Sequence, residues 1–99
     1  LENAERVGHV IRDGLARELA GIAGVKEIRG LGLMIGVELD RTCTELVKLG
    51  LERGLVFNVT AENVIRMLPP LVMSEAEGRQ VVAILAPMVK AFLSTTAQA

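Results

Sequence analysis

The segment Val64-Ile65-Arg66-Met67-Leu68-Pro69-Pro70-Leu71 constrains this chain more than any other stretch. Val64 to Leu68 reads as a short β-strand, because β-branched and apolar residues fill it. Pro69 and Pro70 lack the backbone N–H that a sheet ladder needs, so the strand must stop there. One guanidinium, that of Arg66, stands among the apolar neighbours. Setting a charge in such a place is unfavourable unless an anion meets it. Arg presents five donors in a rigid fork, which matches a planar carboxylate bidentately. At this level two partners stay open: an internal acid such as Glu38 across the sheet, or the carboxylate of a ligand.

The rest of the pattern alternates helices with strand pairs. In residues 1 to 20, Val7, Val10, Ile11, Gly14, Leu15 and Leu19 recur at the spacing of one helical face, and Gly21 and Gly24 supply the stop. Val25 to Arg29 and Leu33 to Leu39 read as a hairpin reversing at Gly30-Leu31-Gly32. Leu33, Ile35, Val37 and Leu39 share one face of its second strand, and Met34, Gly36 and Glu38 the other. Thr42-Cys43-Thr44-Glu45 matches a capping box. It predicts a helix to about Arg53 with Leu46, Val47, Gly50 and Leu51 buried and Gly54 as terminator. Leu55-Val56-Phe57 reads as a further strand and Thr60 to Asn63 as a turn. Ser74-Glu75-Ala76-Glu77 is a second capping box. The helix it opens carries Val81, Val82, Leu85, Met88, Val89 and Phe92 on one face, contains Pro87, which should remove one backbone bond and kink it, and gives way to a frayed tail from Ser94. Helix, two strands, helix, two strands, helix predicts an α+β fold: a small, mainly antiparallel sheet with helices packed on one face.

Composition narrows the function. A length of 99 residues suits one domain, and 51% hydrophobic against 23% charged residues is the balance of a core-forming chain. A net charge of -1 offers no basic face for nucleic acid or an anionic membrane, and Phe57 and Phe92 are the only aromatics available for stacking on bases. No apolar run is long enough to span a bilayer. The mean hydropathy of +0.42 is high for so small a domain, and the chain opens at Leu1 without an initiator Met. Both features are expected of a piece of a longer protein with apolar surface to cover.

Few residues qualify for chemistry. His9 and Cys43 stand alone, without the second soft ligand that a metal site needs. Cys43 lies near a predicted helix start, where a thiol pKa can fall, yet no acid or base accompanies it in sequence. Gly30, Gly32 and Gly36 imitate a dinucleotide fingerprint with the wrong spacing, and they lead into a strand where a helix is required. Met34, Met67, Met73 and Met88 read as core filler. No catalytic residue is assigned. Arg66 is the one candidate binding residue.

Three segments together resemble a known family. Ile28-Arg29-Gly30-Leu31-Gly32-Leu33-Met34-Ile35-Gly36-Val37-Glu38-Leu39, then Gly50-Leu51-Glu52-Arg53-Gly54-Leu55, then Val64 to Leu71 are similar in order and separation to the C-terminal small domain of class III, fold type I aminotransferases. The likeness runs from about Val7 to Leu93. It implies a cytoplasmic, homodimeric enzyme using pyridoxal 5′-phosphate. It further implies transfer of an amino group from N-acetylornithine, or a related acylated diamino acid, to 2-oxoglutarate in arginine biosynthesis. Arg66 then corresponds to the small-domain arginine that binds a substrate carboxylate. Residues 1–99 correspond to one domain. The family's cofactor lysine, pyridine-nitrogen aspartate and phosphate loop lie upstream, and Lys26, Lys48 and Lys90 do not match the lysine motif. The chain alone is therefore expected to be inactive and to bind no cofactor, with the large domain and a second subunit as its partners. The competing expectations are a stand-alone amino-acid-binding regulatory module and a structural dimerisation module.

Overall fold

The computed structural model describes residues 2–31 and 34–95. Helix α1 spans Glu2–Glu18, strands β1 and β2 span Val25–Leu31 and Met34–Leu39, and helix α2 spans Leu46–Glu52. Strands β3 (Asn58–Thr60) and β4 (Val64–Met67) follow, then helix α3, Glu75–Thr95. The four strands form one antiparallel sheet in the order β1-β2-β4-β3. The α+β architecture expected from the sequence is the one observed.

Register decides which residues share a face. Ile35 lies opposite Met67 and Val37 opposite Ile65. These four, with Leu39, are buried and join the three helices in a single core. Val7, Ile11, Gly14 and Leu15 line the buried side of α1 as the periodicity predicts, Leu19 is buried just past its end, and Val10 is half-buried at its margin. Helix α3 buries Val81, Val82, Leu85, Met88, Val89 and Phe92, and it runs on through an exposed Pro87. Its capping box is formed: the Glu77 N–H donates to Ser74 Oγ at 3.1 Å, and the Ser74 N–H donates to Glu77 Oε1 at 2.9 Å.

Several local expectations fail for identifiable reasons. The box at Thr42 does not form. Helix α2 begins at Leu46 after Glu45, with no side-chain cap. Cys43 is drawn into the core, and its N–H is committed to the Glu62 carbonyl at 2.8 Å, so the turn ahead of α2 is set by tertiary bonds. Leu51 is exposed, because α2 is too short to bury more than Leu46 and Gly50 completely. Leu55 to Phe57 alternates correctly but joins no ladder. The Leu55 N–H returns to the Gly50 carbonyl, and Phe57 packs against Gly50, so pairing starts only at Asn58. Ser94 and Thr95 are helical, each donating its hydroxyl to the Ala91 carbonyl at 2.9 Å. The rest of the predicted tail, and Gly32 of the predicted reversal with Leu33 after it, lie outside the described residues. Gly30 and Leu31 belong to β1.

Helix α3 is also tied down at its C-terminal end, by a residue that the sequence did not single out. Arg41 is buried, donates from Nη1 to the Leu93 carbonyl at 3.1 Å, and holds Asp40 through Nε at 2.6 Å. The guanidinium thus satisfies one of the last carbonyls of α3 and sets positive charge at the negative end of the helix dipole. Its hydrogen bond to Asp40 keeps that carboxyl below the usual carboxylate range.

Candidate functional site

The sheet face turned away from the helices is built by the same register. Arg29 on β1, Gly36 on β2, Arg66 on β4 and Asn58 on β3 form one row across all four strands. Glu38, Val64 and Thr60 form the adjoining row. The two arginines therefore flank a position with no side chain. Over that gap lies a cleft of about 340 Å³ lined by Arg29, Gly30, Met34, Gly36, Thr60, Val64 and Arg66.

Arg66 is exposed on this face, at the centre of the sheet. Among the described residues it makes no ion pair. Its Nη2 donates to Met34 Sδ at 2.9 Å, a weak acceptor. The reading in which Glu38 neutralises Arg66 is overturned. Glu38 turns toward the edge strand, where Oε1 accepts from Arg29 Nη1 at 2.9 Å and Oε2 faces Lys26 Nζ at 3.7 Å. The hydrogen bond from Arg29 is the main cause of a Glu38 pKa below its ordinary value. Arg29 Nη1 also reaches Glu27 Oε1 at 3.0 Å.

Met34 is not core filler. It is 40% exposed and supports the guanidinium, whereas Met67 and Met88 are buried and Met73 packs at the core's edge. Sequence reasoning passed over Arg29 and Gly36 as site residues. Their pairing follows from the observed register, Leu31 opposite Met34 and Arg29 opposite Gly36, and not from the reversal at Gly30-Leu31-Gly32 that the pattern suggested.

The turn beside the cleft is strained. Ala61 and Glu62 both adopt positive φ, 51° and 69°, where glycine or asparagine is usual. Tertiary bonds hold them there. The Glu62 carbonyl accepts from the Cys43 N–H, and Asn63 brackets Leu39, donating from Nδ2 to its carbonyl at 3.0 Å and accepting its N–H at 2.9 Å. That fixes the β3–β4 hairpin, and with it the strand carrying Arg66.

The other candidates lie apart from this face. His9 is exposed on α1. Cys43 is fully buried, and desolvation pushes its thiol up to about 11, the reverse of the activation considered from sequence. Among the described residues no group of three His, Cys, Asp or Glu side chains could hold a metal ion, and no helix is long and apolar enough to cross a membrane.

Comparison with known proteins supplies the family. The model of the class III aminotransferases matches residues 1–89. Acetylornithine aminotransferase 1 of Bordetella bronchiseptica is 51% identical over 94 residues, which are 95% of this chain and 24% of that protein. The acetylornithine aminotransferase of Nitrosomonas europaea is 40% identical over 95 residues, again 24% of its length. Among solved structures, ornithine aminotransferase from Toxoplasma gondii superposes with a TM-score of 0.85 at 34% identity, covering 96% of this chain and 24% of that one. Acetylornithine aminotransferase from Elizabethkingia anophelis gives 0.82 at 27% identity, covering 92% and 24%. The chain spans about a quarter of the length of the relatives it matches, and it belongs to the class III aminotransferases.

Proposed function

We propose that this chain is the C-terminal small domain of a transaminase that moves an amino group from N-acetylornithine, or a related acylated diamino acid, to 2-oxoglutarate in arginine biosynthesis in the cytoplasm. Arg66 docks a substrate carboxylate. The observation that carries this reading is the state of Arg66: a guanidinium exposed over a cleft, on a strand paired on both sides, held by a thioether and by no acid among the described residues. An incoming carboxylate outcompetes a thioether for the two outer N–H groups, because charge-assisted bonds are about twice as strong as neutral ones. Fixing that carboxylate fixes the direction of the substrate's Cα, so the domain contributes orientation.

Class III aminotransferases depend on pyridoxal phosphate, which supplies the electron sink for transamination when bound. The described residues of this chain do not fit that group. The cleft contains no lysine: Lys26 faces Glu38, Lys48 is exposed on α2, and Lys90 lies 3.6 Å from Glu18. The remainder of the parent chain holds the cofactor in this reading. Val56, Leu68, Leu71 and Val72 are exposed near the ends of β3 and β4, an apolar surface suited to that remainder or to a second subunit.

The test is Arg66→Ala in the full-length enzyme. It should raise KM for both amino and oxo acid by about 10- to 1000-fold, the loss of one or two charge-assisted bonds. Arg66→Lys should recover part of the loss, because the point charge remains and the fork does not. Unaltered KM values in Arg66→Ala would remove Arg66 from the site.

A further inference from the structure

We propose that Arg29 is a positioning residue whose task is to hold Glu38 away from Arg66, so that the substrate guanidinium stays open to ligand. This deepens the assignment of Arg66 and rests on it. The register makes the threat concrete. Arg66 lies opposite Gly36, and Glu38 lies opposite Val64, so Glu38 and Arg66 are diagonal neighbours on one face. Diagonal positions are roughly 7–8 Å apart, within reach of two long side chains. Gly36 interposes nothing between them. An internal Glu38–Arg66 pair is therefore the natural competitor of any carboxylate ligand.

That pair is absent because Glu38 is engaged on its other side. Its two oxygens go to Arg29 at 2.9 Å and Lys26 at 3.7 Å, and Arg29 is itself braced by Glu27 at 3.0 Å. Lys26, Glu27, Arg29 and Glu38 neutralise one another as a cluster along β1 and the neighbouring part of β2. Among the described residues, the remaining positive charge on the face is Arg66, whose guanidinium rests on Met34. The depressed pKa of Glu38 agrees with a carboxylate that stays ionised and stays where it is.

The experiment measures binding of glutarate, a non-reacting dicarboxylate, to the full-length protein by calorimetry, with thermal melts to show that each variant is folded. Arg29→Gln should weaken binding about 3- to 6-fold, the competition expected from one half-exposed ion pair. Arg29→Lys should bind within about twofold of the parent, since a cation there still holds Glu38. Adding Glu38→Gln to Arg29→Gln should restore affinity. Adding Glu27→Gln should not, although it restores the same net charge. Equal rescue by both, rescue by neither, or full affinity in Arg29→Gln overturns the proposal. Failure of the underlying assignment is separate: there Arg66→Ala itself binds glutarate as well as the parent.

Discussion

Three helical glycines allow one substitution to be made against graded obstacles. Ala is favoured over Gly in a helix interior by about 0.8–1.0 kcal/mol, so Gly78→Ala, Gly14→Ala and Gly50→Ala begin with a similar intrinsic gain. At Gly78 a methyl would lie 3.3 Å from Val7 Cγ1 and 3.4 Å from Ile11 Cγ1, which a shift of a few tenths of an ångström relieves. Net stabilisation of about 0.5 kcal/mol is expected. At Gly14 it would lie 2.9 Å from Val82 Cγ2. Valine has few rotamers to escape into, so α1 and α3 must ease apart and the gain is cancelled. At Gly50 it would lie 2.5 Å from Phe57 Cε2 and 2.8 Å from the Leu55 carbonyl oxygen. The backbone cannot retreat there without losing the Leu55 N–H bond to Gly50, and Phe57 is buried. Overpacking of this kind costs about 1–3 kcal/mol, and two clashes place Gly50 in the upper half of that range, leaving a net loss of roughly 1–2 kcal/mol. Urea unfolding followed by circular dichroism should therefore order the variants Gly78→Ala, Gly14→Ala, Gly50→Ala. The extremes should differ by about 1–2 M in midpoint. Equal midpoints, or Gly50→Ala above Gly78→Ala, would refute the steric reasoning.

Two further outcomes follow from titrating groups. Cys43, buried with its thiol pushed up to about 11, should resist a disulfide reagent at pH 8 until the protein unfolds, and rapid labelling of the native protein would contradict its placement. Glu38 and Asp40 are held below their ordinary pKa values by Arg29 and Arg41, so each adds stability above the unfolded carboxylate range and loses it as pH falls below about 4. Glu38→Gln or Asp40→Asn should flatten the acid limb of a midpoint-versus-pH curve, and an unchanged limb would count against these ion pairs.

Periodicity made most of the fold legible. The buried stripes of α1 and α3, the alternation of β2 and the Ser74–Glu77 box are local signals, and local signals suffice where one face must meet a core. Thr42 and Leu55 to Phe57 lie where bonds set by the fold override propensity: Cys43 to Glu62, Leu55 to Gly50, Phe57 against Gly50. Leu51 lies on a helix too short to cover it. Arg41 follows Asp40 after an apolar strand and carries no local pattern that marks it out. Nothing in its neighbours announces that the Leu93 carbonyl, 52 residues on, will need it. At the site, Arg66 was conspicuous because charge among apolar residues is conspicuous. Its accomplices were not, since a glycine, a methionine and a second arginine acquire meaning only from cross-strand pairing.

Arg66 stands on β4, an inner strand with ladders to β2 and β3. Its Cα is thereby anchored from left and right, and only the side-chain torsions remain adjustable. Retuning the affinity of such a residue cannot proceed by sliding the strand beneath it. It must proceed at the tip, through the Met34 thioether that cushions the guanidinium and the Glu38 carboxylate that can compete for it, while the arginine's own footing stays still.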